Sequence, residues 1–152
     1  MMKADTERLI RQCFALARRA REKGDHPFGA LLAGGDEILL SALNTVNTDC
    51  DPTRHAELNL VSLACRRYAP EILAETTLYT STEPCVMCAG AIYWAGIPRV
   101  VYGVSARALG RLAGGSLVVP CRDVFGAGRR GVAVTGPVLE DEGLEVHAGF
   151  WG

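Results

Sequence analysis

The chain has 152 residues, a length that suits one domain built on one hydrophobic core. Apolar residues make up 49% and charged residues 22%, which excludes a disordered chain, and the net charge of −1 argues against affinity that rests on nucleic-acid phosphates. The distribution of charge points the same way. Seven of the 16 basic residues fall between Lys3 and Lys23, none follows Arg130, and the C-terminal stretch carries Glu140, Asp141, Glu142 and Glu145.

In chain order, Asp5 or Thr6 is expected to cap a helix running to about Lys23, with Leu9, Ile10, Cys13, Phe14, Ala17 and Ala20 on its apolar face. Gly24 ends it. Phe28 to Ala33 and Glu37 to Asn44 read as two strands of a hairpin turning at Gly34-Gly35-Asp36. A polar loop, Thr45 to Thr53, leads to a second helix over about Arg54 to Tyr68, whose apolar face is Leu60, Val61, Ala64 and Cys65. Thr76 to Ser81 is a strand. Pro84 suits the start of a third helix, Cys85 to Ala95, closed by Gly96 with Pro98 beyond. Arg99 to Val104 is a strand, and the Gly-rich segment 104–131 is irregular with one short helix near Pro120 to Phe125. Val132 to Val138 is the last strand, before an amphipathic tail from Glu140 ending in Phe150-Trp151. The order α-β-β-α-β-α-β-β-α implies an α/β fold with a mixed sheet of about five strands between helices.

The N-terminal residues lack the apolar core of a signal peptide, and the longest apolar run, Cys85 to Ile97, is too short to span a bilayer. A cytoplasmic protein without membrane attachment is expected. Six cysteines in such a protein favour reduced thiols and a metal site over a disulfide framework.

Two segments carry the chemistry: His55-Ala56-Glu57 and Pro84-Cys85-Val86-Met87-Cys88, each at the start of a predicted helix. There, unpaired N–H groups and the positive end of the helix dipole favour thiolate. Two thiolates and one imidazole make three zinc ligands and leave the fourth tetrahedral position open, as a catalytic zinc requires. One Zn2+ per chain is expected on His55, Cys85 and Cys88. Zinc lowers the pKa of bound water towards neutrality. Glu57, two residues from His55, can move protons in the same pocket without ligating. This equips addition of water to an amino-bearing sp² carbon with loss of ammonia. Two other uses compete: a redox dithiol, and a structural zinc with a fourth ligand from His26, His147, Cys50 or Cys121. Cys13 and Cys65 read as core residues.

His-Ala-Glu followed by Pro-Cys-Val-Met-Cys resembles the signature of the zinc nucleobase deaminases. The likeness extends to Pro27-Phe28-Gly29-Ala30, Asn44, Asp51-Pro52-Thr53, Thr77-Leu78-Tyr79-Thr80, Glu83 and Ala89 to Ala95. It implies a cytidine-deaminase-like three-layer α/β/α fold, zinc, a homodimer or larger oligomer, and a small-molecule nucleobase as partner. It also implies substrate contacts from Asn44, the Ala56 backbone N–H, Phe28, Glu83 and Trp94, with Phe150 and Trp151 covering the base. Asn44 has an alternative as a turn residue, Glu83 as a helix cap, and the aromatic tail as core docking.

Among family members the strand around Phe28, the Ile92 to Ala95 stretch and the aromatic end are most similar to bacterial guanine deaminases. That implies conversion of guanine to xanthine plus ammonia, with a tail carboxylate from Asp141, Glu142 or Glu145, or His147, at the base. Segment 104–131 shows no match to those enzymes. Deamination of cytosine or a related aminopyrimidine or triazine is the second reading. The tRNA adenosine deaminases are third, since the expected basic tail is missing, and a zinc-binding relative without catalysis is the non-enzymatic alternative, against which Glu57 speaks.

Overall fold

The computed structural model describes residues 3–152. Helix α1 (Lys3–Glu22) begins earlier than the sequence suggested, so Asp5 lies in its first turn and favours the helix through the dipole rather than as a cap. Strands β1 (Gly29–Gly34) and β2 (Glu37–Leu43) form the expected antiparallel hairpin. Then come α2 (Ala56–Arg67), the single turn α3 (Pro70–Leu73), β3 (Thr77–Thr82), α4 (Val86–Ala95) and β4 (Arg99–Val104). The remainder comprises α5 (Ala106–Ala113), α6 (Cys121–Gly126), β5 (Ala133–Thr135) and α7 (Glu140–Glu145).

The five strands form one sheet in the order β2-β1-β3-β4-β5. β1 pairs antiparallel with β2 and β3, while β3, β4 and β5 run parallel. Alternation along the strands sends side chains to two apolar layers. Leu31, Ala33, Tyr79 and Val101 pack with Leu9, Ile10, Cys13, Phe14 and Ala17 of α1. Ala30, Leu32, Leu78, Val100 and Tyr102 pack on the other face with Leu60, Val61 and Ala64 of α2, Ala89 and Ile92 of α4, and Phe125 of α6. This is the three-layer α/β/α arrangement with a mixed five-stranded sheet.

Close contact needs a glycine at position 29, where an added Cβ would sit 2.4 Å from the Leu16 Cβ of α1. Helix α4 closes on Gly96 at φ +80°, the left-handed C-cap that glycine adopts without steric cost.

Three expectations are corrected. Helix α5 lies in the segment read as irregular: Ser105 caps it, its hydroxyl accepting from the Ala108 N–H at 3.1 Å, and Gly110 in its interior had masked it. Cys65 is exposed on α2 rather than in the core, whereas Cys13 is buried. β5 is shorter than expected because Pro137, lacking an N–H, cannot extend the ladder.

Candidate metal centre

The site lies where the C-terminal ends of β3 and β4 meet the start of β1, the edge at which open α/β sheets bind ligands. His55 is the N-cap of α2 and Cys85 the N-cap of α4, so two helix N-termini converge. Both helices start here for local reasons: extended backbone at each cap, and Pro84 before the second. Cys88, one turn into α4, is buried.

His55 Nδ1 lies 3.6 Å from Cys85 Sγ and 3.6 Å from Cys88 Sγ, and the three ligand atoms all lie within 4.8 Å of one another. A tetrahedral zinc with ordinary Zn–S and Zn–N bonds has an N···S edge of about 3.6 Å, so the donor set fits zinc in both chemistry and spacing. Among the described residues no fourth His, Cys, Asp or Glu joins the group, and His26, Cys50, Cys121 and His147 lie outside it. The structural-zinc reading therefore lacks its fourth ligand.

The dithiol is asymmetric. A hydrogen bond from Cys88 pulls the Cys85 thiol down to about 4 against the effect of burial, with His55 adding to the pull. Cys88 is pushed up, because its proton is held toward Cys85 and it is buried. Glu57 is only 6% exposed, and burial followed by the charge of Cys85 raises its carboxyl to about 7. Its own backbone N–H, His55 and the Thr80 hydroxyl act in the opposite direction.

Beside these groups is a cavity of about 90 Å³ lined by Phe28, His55, Glu57, Thr82, Glu83, Cys85 and Leu109. Neither Lys nor Arg lines it. The expected contacts divide. Phe28, Glu57 and Glu83 are at the cavity with the ligands. Glu83 is committed elsewhere, however: Oε1 accepts from the Ala106 N–H at 2.9 Å and Oε2 from the Cys121 N–H at 2.6 Å. It ties down the first turns of α5 and α6, not that of α4. Buried Asn44 forms the turn that was its alternative, with Oδ1 accepting from the Val46 N–H at 3.0 Å, which leaves its NH₂ group as the donor. Ala56 opens α2, where first-turn N–H groups have no acceptor within the helix.

Three of the expected aromatic residues lie outside the cavity wall of this single chain. Trp94 is 87% exposed at the end of α4, away from the cavity. Phe150 and Trp151 do not line it either. Trp151 stacks on His147 and donates from Nε1 to His147 Nδ1 at 3.0 Å, and both rings pack against Phe28. Phe150 lies under Arg21 and against His26. Of the acidic tail residues, Glu142 pairs with Arg11 at 3.0 Å, and Asp141 and Glu145 line a separate hollow with Leu112 and Trp151.

Sequence reasoning missed Thr82, Leu109 and Asp25. Asp25 is fully buried between α1 and β1, and accepts from the Asn47 and Thr48 N–H groups, the Thr48 hydroxyl and Lys23. Burial pushes its carboxyl up, but the bonds from Lys23 and Thr48 hold it down at about 2. It anchors the loop that delivers His55; an Asp after a helix-ending Gly was the available signal.

Residues 3–104 match the family model described as the cytidine and deoxycytidylate deaminase zinc-binding region. The chain belongs to this deaminase family. The deaminase is 40% identical over 148 residues to a probable cytosine deaminase of Schizosaccharomyces pombe, covering 93% of this chain and 90% of that protein. It is 45% identical over 76 residues to a guanine deaminase of Bacillus subtilis, covering 50% and 49% of the two chains. A solved mutant protein in complex with 8-azaguanine superposes with a TM-score of 0.81 at 25% identity, over 93% of this chain and 81% of that one. The deaminase is accordingly a hydrolase of C–N bonds with a zinc-binding domain, and His55, Cys85 and Cys88 form the metal site its donors allow.

Proposed function

We propose that this deaminase hydrolyses the exocyclic amino group of a free nucleobase, with Glu57 as its proton carrier and His55, Cys85 and Cys88 as its zinc ligands. The observation that carries the reading is the small cavity walled by all of these residues except buried Cys88 and free of Lys and Arg. A nucleotide or an RNA would need basic groups for its phosphates. When bound, zinc supplies the Lewis acidity that activates water. The Glu57 carboxyl accepts the water proton and delivers protons to a ring nitrogen and to the departing amino nitrogen, so that water is consumed and ammonia leaves. Phe28, braced by His147 and Trp151, offers a ring face for the planar base and excludes solvent.

The 40% identity to the Schizosaccharomyces pombe protein, over 93% of this chain and 90% of that one, favours a single-ring aminopyrimidine, with cytosine as prototype. The guanine reading keeps support from the likeness to the 8-azaguanine complex and the local match to a guanine deaminase. A homodimer is part of the proposal: α4 is apolar all round, and its outer face leaves Met87 and Trp94 exposed at 36% and 87%. So is a cytoplasmic location, with six free cysteines; no described helix is long and apolar enough to cross a membrane.

Ammonia release from cytosine, guanine, adenine, their nucleosides and an anticodon stem-loop tests the proposal. Turnover of one free base, unaffected by salt, is expected. Turnover of the RNA alone, falling steeply with salt, would overturn it.

A further inference from the structure

Strand β3 reads Thr-Leu-Tyr-Thr-Ser-Thr, and hydroxyls along it have partners within the protein. Thr80 Oγ1 donates to the Thr82 carbonyl at 3.0 Å, and Ser81 Oγ accepts from the Gly29 N–H at 3.1 Å. Just before the strand, Thr76 Oγ1 donates to the Leu73 carbonyl at 2.7 Å. Thr82 breaks this pattern. Its side chain is 4% exposed, and among the described residues its Oγ1 alone is a buried side-chain polar atom without a hydrogen-bond partner. Thr82 lines the cavity with Glu57, Glu83 and Cys85, while its Oγ1 is turned into the wall and closed to solvent.

An unpaired buried hydroxyl works against stability, and native proteins seldom leave one without reason. Valine has nearly the same shape and the stronger β-preference, so packing alone would be better met by it. The other wall groups have tasks of their own. His55 and Cys85 offer metal ligands, Glu57 the proton, Glu83 has both oxygens on backbone N–H groups, and Phe28 and Leu109 are apolar. That leaves Thr82 as the wall residue with an uncommitted hydroxyl, which a rotation about its Cα–Cβ bond would turn toward a polar edge in the cavity.

We infer that Thr82 contacts the substrate, its hydroxyl bonding a ring nitrogen or oxo group on the edge of the bound base, and that it helps decide which bases are accepted. This rests on the free-base reading above. A hydroxyl both donates and accepts, so it serves a carbonyl or an unprotonated ring nitrogen as donor and a ring N–H as acceptor.

The test compares Thr82→Val and Thr82→Ser with the wild type in zinc content, melting temperature without ligand, and KM and kcat on cytosine and guanine. Thr82→Val should keep its zinc and melt no lower than wild type, since it loses only an unpaired hydroxyl. Its KM should rise about 3- to 10-fold at nearly constant kcat, the signature of one lost neutral hydrogen bond made equally in the ground and transition states. Thr82→Ser should stay within about twofold of wild type. A Thr82→Val enzyme with wild-type KM and kcat overturns the inference. So does a lower melting temperature or zinc loss in that variant, either of which would give the hydroxyl a partner inside the protein. A wild type that releases ammonia from none of cytosine, guanine and adenine removes the parent reading, a result visible before any variant is compared, and this inference falls with it.

Discussion

Replacing Glu83 by alanine removes one carboxylate that serves two helices. Its oxygens receive the Ala106 N–H at 2.9 Å and the Cys121 N–H at 2.6 Å, and both donors are first-turn groups with no acceptor inside their own helix. Losing an N-cap acceptor costs about 0.5–2 kcal/mol, and a bond to a buried charged acceptor lies at the upper end of that range. The sum is about 2–4 kcal/mol. For a chain of this length each kcal/mol moves the melting temperature by about 2–4 °C, so Glu83→Ala should melt roughly 5–15 °C lower with zinc saturating. Glu83→Gln keeps one acceptor but turns an NH₂ group toward the other N–H, and should lose about half as much. Differential scanning calorimetry on zinc-loaded protein reads the effect. If Glu83→Ala melted within about 2 °C of wild type while deamination was abolished, Glu83 would act on the substrate and the anchoring argument would fail.

Two further outcomes follow from the tail and from the exposed face of α4. Burial, followed by the charge of Arg21, holds buried His147 down to about 4 against an ordinary value of 6.5, so the unfolded chain takes up the proton first on acidification. Stability is full above pH 6.5 and is lost as pH falls from there toward 4, by about 1–2 kcal/mol between pH 7 and 5. His147→Gln, which retains an acceptor for Trp151, should flatten that part of the melting-versus-pH curve, and an unchanged slope would count against a neutral buried imidazole. Trp94→Glu should convert a dimer into a monomer in sedimentation velocity without changing zinc content; a monomeric wild type would refute the dimer outright.

How much the sequence disclosed depended on whether a residue's role was local. Cys85 and His55 were placed at helix starts because Pro84, Gly96 and the apolar periods mark those helices within a few residues, and the start of β4 was marked by Pro98. Helix α5 was hidden because Gly110 lowers helix propensity in its interior, while its Ser105 N-cap and its left-handed Gly114 C-cap were the overlooked signals. Cys65 sits at the border of the α2 stripe, where a 3.6-residue period does not decide between faces. The roles of Glu83, Thr82 and Asp25 depend on partners 22 to 38 residues away or on having none, which no local pattern encodes. Trp94 follows the two cysteines on their own helix in the family pattern, and its 87% exposure in this chain is a property that the local sequence does not encode.

On the function proposed above, Glu57 moves the protons in a zinc-dependent deamination of a free base. Zinc content and ammonia release, measured side by side for wild type and Glu57→Gln, test that role. About one zinc per chain is expected in both proteins, with base-dependent ammonia from the wild type and a loss of at least about 10³-fold in the variant. Glu57→Gln turning over at a rate near that of the wild type, with zinc in place, would contradict it.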